Sequence, residues 1–178
     1  MGERNIDVVA YDPAWPAAAA DAIADVREAL SGAISDIEHI GSTSVPGLAA
    51  KPIIDLMAAA EDFGAVEARE EALARIGFRR SANGMTSRLL YIRGEGSHRT
   101  HHLHVVTLES WPARNQRILR DHLRAHPRDA ARYAQLKQSL AATGASAETY
   151  TQAKTELIQE LIDRARADRG LPAVSVWE

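Results

Sequence analysis

The stretch His39-Ile40-Gly41-Ser42-Thr43-Ser44-Val45-Pro46-Gly47-Leu48-Ala49-Ala50-Lys51-Pro52-Ile53-Ile54-Asp55-Leu56 decides how this chain folds. Leading into it, Ile34–Ile40 alternates apolar and polar residues as a half-buried strand does. At its far end, Lys51–Ala58 is a nearly continuous apolar run, the pattern of a strand covered on both faces. Between the strands come a Gly-Ser step and a short irregular segment. Gly41 lets the backbone approach a bound phosphate closely, and Ser42 and Thr43 add hydroxyls and amides that hold its oxygens. Asp55 stands alone in an apolar strand, where an unpaired carboxylate is costly, so it should meet a cation or several donors. A divalent metal held between Asp55 and substrate phosphates satisfies both halves of this pattern. The alternative is a tight Gly/Pro loop with Asp55 accepting local amide bonds.

Working outward, Asp7–Tyr11 reads as a short strand closed by the turn signal Asp12-Pro13. From Trp15, the apolar residues Ala19, Ile23, Val26 and Leu30 recur at helical spacing, and Gly32 fits the stop. A helix from about Gly64 to Ile76 ends at Gly77. Strands at Ser87–Arg93 and Thr100–Thr107 flank a hairpin loop, Gly94–Ser97. From Ser110 onward the chain reads as three helices. Ser110 is the expected N-cap of the first, with Pro112 in its opening turn; Pro127 opens the second and Gly144 stops it; Ser146 caps the third. Strands followed by a helical block predict an α+β fold.

A length of 178 residues suits one domain, strand-rich over about 1–109 and helical over about 110–170. With 46% hydrophobic and 25% charged residues, disordered and fibrous classes are excluded. The absence of cysteine removes disulfides, thiolate metal sites and thiol nucleophiles, leaving His, Asp and Glu for metal and acid–base work. A net charge of -3 gives no general reason to bind nucleic acid. The N-terminal stretch Met1–Trp15 is polar and no window approaches a membrane span, so a cytoplasmic protein is expected. Lysine is scarce, 3 residues beside 18 arginines, which reads as a bias of genomic base composition.

Four of the seven histidines fall in Ser97-His98-Arg99-Thr100-His101-His102-Leu103-His104. On a strand, His102 and His104 face one side, where two imidazoles chelate one metal with Asp55 completing the set. Such ligands suit Zn²⁺, Mn²⁺, Fe²⁺ or Ni²⁺. Alternatively they hydrogen-bond phosphate or backbone, or line a polar cavity. His98 and His101 read as loop residues, and His39 either orients the Gly-Ser loop or is structural. Arg114, Arg117, Arg120, Arg124 and Arg128 form a near-helical stripe, better read as a solvated face than a nucleic-acid surface because no stacking aromatics interleave. Within it, Arg120 or Arg124 is placed to face the cleft. Lys51 lies near the loop as a phosphate contact, and Tyr150 and Lys154, one helical turn apart, form one wall. Ser42 and Ser44 lack the Gly-x-Ser-x-Gly elbow of a serine hydrolase.

The chain resembles the GrpB family, small bacterial proteins of the nucleotidyltransferase superfamily. The resemblance runs through Tyr11–Pro16, His39–Leu56, Thr100–Val106, Leu119–Pro127 and Tyr150–Lys154. It implies a small mixed sheet with Gly41-Ser42 opening a helix and Asp55 on the next strand. It also implies a nucleotidyltransferase-like enzyme acting on a phosphorylated or nucleotide small molecule with a divalent metal. Mg²⁺ or Mn²⁺ follows from the family, Zn²⁺ or another His-binding metal from the histidines. Asp55, His102 and His104 are then the catalytic and metal-binding residues. Gly41, Ser42, Thr43, Lys51, Arg120, Arg124 and Lys154 are then the phosphate- or nucleotide-binding ones. The chain departs from the family pattern of paired carboxylates, since Met57 stands two residues after Asp55. A phosphate-ligand-binding module without turnover, or a His-metal enzyme of another reaction class, are the alternatives.

Overall fold

The computed structural model describes residues 7–82 and 84–176; the first six residues of the polar N-terminal stretch lie outside them. Five strands form one mixed sheet: β1 (Asp36–Ile40), β2 (Ile54–Ala60), β3 (Arg79–Arg80), β4 (Arg88–Glu95) and β5 (His98–Thr107). Their order is β1-β2-β5-β4-β3, with β2 and β5 parallel at the centre and every other pair antiparallel. Helix α1 (Trp15–Ala29) and the short helices α2 (Phe63–Glu67) and α3 (Glu70–Arg75) accompany the sheet. Helices α4 (Asn115–Ala125), α5 (Pro127–Ala142) and α6 (Ala147–Asp168) form the C-terminal block. The α+β class expected from the sequence is the one observed.

Alternation along the strands separates two faces. Leu56, Ala58, Ala60, Leu103, Val105, Leu89 and Tyr91 join Trp15, Ala19, Ala22, Val26 and Leu30 in the main core. Each large aliphatic side chain removed from water there contributes roughly 1.5–3 kcal/mol. On the other face, Ile40, Met57, Ala59, Val106 and Trp111 make a smaller apolar cluster. Asp55, His102 and His104 share this second face, because Asp55 is in register with His102 and Met57 with His104. The helical block has its own core, in which Leu123, Tyr133, Ile158, Leu161 and Ile162 hold Val45 and Leu48 of the β1–β2 loop. The loop is therefore anchored from the helical side.

Several local expectations are corrected. Asp7–Tyr11 contributes a single bridge, Val9 to Ala50, rather than a strand. The strand expected from Lys51 begins at Ile54, since Pro52 has no N–H to give a ladder and the Ile53 N–H turns back to the Lys51 carbonyl at 2.8 Å. The helix expected over 64–76 is two short ones broken at Ala68–Arg69. Ser110 opens a 3₁₀ turn, Trp111–Ala113, and its hydroxyl bonds the Thr107 carbonyl, so α4 starts only at Asn115. The helix expected to open at Gly41-Ser42 is a single three-residue 3₁₀ turn, Ser42–Ser44. The Ser146 cap is present, accepting from the Thr149 N–H at 3.1 Å.

Candidate functional site

The Gly-Ser loop and the Asp55 strand are fitted to each other at atomic range. Gly41 has φ 75° and ψ −177°, a conformation that an L side chain rarely adopts, and a Cβ there would lie 2.7 Å from Asp55 Oδ2. The Ser44 hydroxyl donates to the Gly41 carbonyl at 2.5 Å, tightening the turn. His39 Nε2 lies 2.8 Å from Thr43 Oγ1, which also donates to the Ile53 carbonyl at 3.3 Å. His39 thus ties the strand before the loop to the segment after it. Burial pushes the His39 imidazole down to about 4, with Arg124 and Arg120 adding to the shift and Asp55 opposing it.

Asp55, His102 and His104 converge as the strand register demands. Asp55 Oδ1 is 3.1 Å from His102 Nδ1 and 3.8 Å from His104 Nε2. One ligand atom from each residue falls within 4.8 Å of the others. Burial alone would raise the Asp55 carboxyl; hydrogen bonds and charge from the two histidines outweigh it and hold the group well below the usual carboxylate range. The remaining ring nitrogens, His102 Nε2 and His104 Nδ1, are buried without a hydrogen-bond partner among the described residues. Two ligands bound to one metal at 2.0–2.2 Å sit roughly 3.0–3.5 Å apart. The Asp55–His102 separation falls in that range, whereas the Asp55–His104 separation and a spread of up to 4.8 Å lie beyond it, so the three residues would draw together to hold one divalent cation. Met57, fully buried among Ile40, Ala59, Val106 and Trp111, closes the face where a second carboxylate would stand.

A cavity of about 200 Å³ opens beside this group. Ser42, Thr43, Lys51, Asp55, His102 and Lys154 line it, together with Tyr133, Lys137 and Tyr150 from α5 and α6. All three lysines of the chain meet here. Lys51 and Lys154 place their ammonium groups 5.3 and 5.1 Å from the centre of the Tyr150 ring. Lys137, 3% exposed, lies 4.4 Å from the Tyr133 ring centre and donates to the Ala49 carbonyl at 2.7 Å and to Ser42 Oγ at 3.0 Å. Burial, then Lys154 and Lys51, push Lys137 down to about 7. Burial and Lys51 likewise lower Lys154, while Asp55 opposes the shift. Two aromatic faces are thus occupied by cations, and the polar floor suits a compact anion.

The structure brings Gly41, Ser42, Thr43, Lys51, Asp55, His102, His104 and Lys154 to one region, although Thr43, buried, already spends its hydroxyl on His39 and Ile53. It does not bring Arg120 and Arg124 to the cavity wall. Arg120 grips Glu38 at 2.6 Å, Asp121 at 2.8 Å and the His39 carbonyl at 3.2 Å. Arg124 places two hydrogen bonds on the Ser44 carbonyl, at 2.9 and 2.7 Å. Nor is the first part of the arginine stripe a solvated face: Arg117 joins Arg120 on Glu38, and Arg114 is buried with donors on Ser110 and the Ser87 carbonyl, while Arg124 and Arg128 are exposed. His101 points to the opposite face against Arg93 and Phe78. Lys137 and Tyr133 escaped the sequence reading, because no motif or spacing around them marks either residue.

A model of the GrpB protein family matches residues 5–164. The chain belongs to the GrpB family. It is 38% identical over 179 residues to UPF0157 protein PA4798 of Pseudomonas aeruginosa, covering 97% of this chain and 72% of that one. It is 33% identical to UPF0157 protein YqkA of Bacillus subtilis, over 92% of this chain but only 48% of the relative, so the chain spans about half of YqkA. The crystal structure of conserved protein GrpB from Enterococcus faecalis superposes with a TM-score of 0.83 at 31% identity, over 92% of this chain and 99% of that one. GrpB membership thus comes with a fold shared along almost the whole chain.

Proposed function

We propose that this GrpB protein is a nucleotidyltransferase-like enzyme acting on a phosphorylated or nucleotide small molecule, with a divalent cation on Asp55, His102 and His104. The observation that carries the proposal is the convergence of every lysine of the chain on one small cavity floored by Asp55 and His102. The Lys51 and Lys154 ammonium groups and the Lys137 amine, beside one carboxylate, favour a multiply charged anion. Ser42 and the lysines would bind and orient the phosphates, and the loop held by Gly41, Thr43 and His39 would keep that geometry fixed. A bound divalent cation would supply charge neutralisation at the phosphate oxygens. No described helix is long and apolar enough to cross a membrane, which accords with a cytoplasmic setting.

A second assignment, a phosphate-ligand-binding module without turnover, draws on Met57, which leaves Asp55 as the carboxylate of its strand face. Metal analysis and calorimetry separate the two. Purified protein equilibrated with Mn²⁺ or Zn²⁺ should hold one ion per chain. Asp55→Ala and His104→Ala should lower that affinity by more than the roughly 10–100-fold typical of losing a supporting residue. Inorganic triphosphate and ATP should both bind, and Lys154→Met should weaken them. Metal-independent binding with no product formed from ATP would leave only the module, and no binding of either anion would sink both.

A further inference from the structure

Three hydroxyls line up in the Gly-Ser loop, and only one is both accessible and next to a base. Ser44 is buried with its hydroxyl donated to the Gly41 carbonyl, and the Thr43 hydroxyl is engaged by His39 and Ile53. Ser42 is partly exposed and lines the cavity. Behind it, sealed from solvent, stands Lys137, with Nζ 3.0 Å from Ser42 Oγ. The Ala49 carbonyl pins the same nitrogen at 2.7 Å, and the Tyr133 ring covers it with its centre 4.4 Å away. A hydroxyl facing substrate, a buried amine behind it and a carbonyl fixing the amine is the arrangement of an activated nucleophile.

We propose that Ser42 is a nucleophile with Lys137 as its general base, and that it accepts the phosphorus group of a phosphoric anhydride bound in the lysine cavity. This rests on the phosphate-binding assignment above. Ser42 Oγ attacks the anhydride phosphorus. The Oγ–P bond forms as the bridging P–O bond breaks, and the leaving phosphate or diphosphate departs with the bridging oxygen and its electron pair. The Ser42 proton passes to the neutral Lys137 amine, which becomes an ammonium beside the transferred group. Lys51 and Lys154 match the charge that develops on the leaving oxygens. Burial and the two neighbouring lysines bring Lys137 down to about 7, so a large share of it is free to take that proton at neutral pH.

The test uses the full chain, acid-quenched after mixing with ATP carrying ³²P at the α or the γ position, and in parallel with an organofluorophosphate. Label retained from the α position marks nucleotidyl transfer, and label retained only from γ marks phosphoryl transfer. Peptide mapping should place both adducts on Ser42, and Ser42→Ala should abolish them. Lys137→Arg stays protonated and so cannot take up the Ser42 proton. It should slow fluorophosphate labelling at least about 100-fold with the circular dichroism spectrum unchanged. Triphosphate binding with no adduct from either probe, or an adduct elsewhere, overturns the nucleophile and leaves the phosphate site standing. Labelling that survives Lys137→Arg at full rate overturns the base. Absence of triphosphate binding removes the phosphate assignment and this proposal with it.

Discussion

Two cationic clusters flank the loop between β1 and β2, and they are built on opposite terms. On the α4 side, Arg117 and Arg120 close on Glu38, Arg120 adds Asp121, and Arg124 takes the Ser44 carbonyl. Those guanidinium groups are internal braces with acceptors supplied by the fold. On the α5–α6 side, Lys51, Lys137 and Lys154 meet around a cavity, stacked on tyrosines, with Asp55 as the carboxylate lining it. A paired planar fork suits a brace, whereas a compact, strongly hydrated ammonium suits a ligand that comes and goes. The contrast separates cations that brace the loop through carboxylate and carbonyl partners from cations gathered around a cavity.

The largest effect should come from breaking a brace. Glu38→Gln strips the carboxylate from two arginines, one of them, Arg120, only 8% exposed. Urea unfolding should show a loss of about 2–3 kcal/mol, somewhat below the figure for a fully buried pair. A change under about 0.5 kcal/mol would mean that the arginines are not braced by Glu38.

The same measurement on Lys137→Met should move the other way. Lys137 titrates at about 7 in the fold against an ordinary 10.5, facing Lys51, Lys154, Tyr133, Tyr150 and, across the cavity, Asp55. The unfolded chain binds the extra proton between those values, so wild-type stability rises with pH through that window and is lowest below pH 7. Lys137→Met should therefore be the more stable protein at pH 6, by about 1–2 kcal/mol, and lose that advantage by about pH 10. Its affinity for inorganic triphosphate should fall. A variant less stable than wild type at pH 6 would make Lys137 a brace like the arginines.

A smaller, acid-side effect belongs to His39, which lies between the two clusters. Its folded value of about 4 lies below the ordinary 6.5, so its contribution is complete above 6.5 and is lost as pH falls through 4. His39→Gln should lessen the slope between those two pH values, part of which stays with His101, also pushed down to about 4 by burial, while Glu38 and Asp129, both held low, steepen it further down. An unchanged slope there would remove His39 from the linkage. The smallest effect is expected at Arg128, the exposed end of the stripe. Arg128→Ala should alter stability by less than about 0.5 kcal/mol and leave triphosphate affinity unchanged.

The central sheet was legible because its signals are local. The alternation of Ile34–Ile40, the apolar run ending at Ala58 and the histidine strand each carry their own period, and register then brings Asp55 against His102. The helical block was equally legible from Pro127, Gly144 and Ser146. What period and spacing cannot convey is which partner captures a long side chain. Arg117, Arg120 and Arg124 lie on one helix as the spacing predicts, but Glu38, some eighty residues earlier in the chain, draws Arg117 and Arg120 inward. Lys137 lies in a stretch with no motif, and only the docking of α5 carries it to Ser42. Long-range pairing decided both cases.

Between Gly41 and the Asp55 carboxylate there is room for a hydrogen and nothing larger. Positions 41 and 55 are therefore a single unit of inheritance. A lineage that acquires any side chain at 41 must give up the carboxylate at 55 or displace the loop that carries Ser42. A single substitution at 41 therefore costs the pocket either its metal group or its phosphate loop.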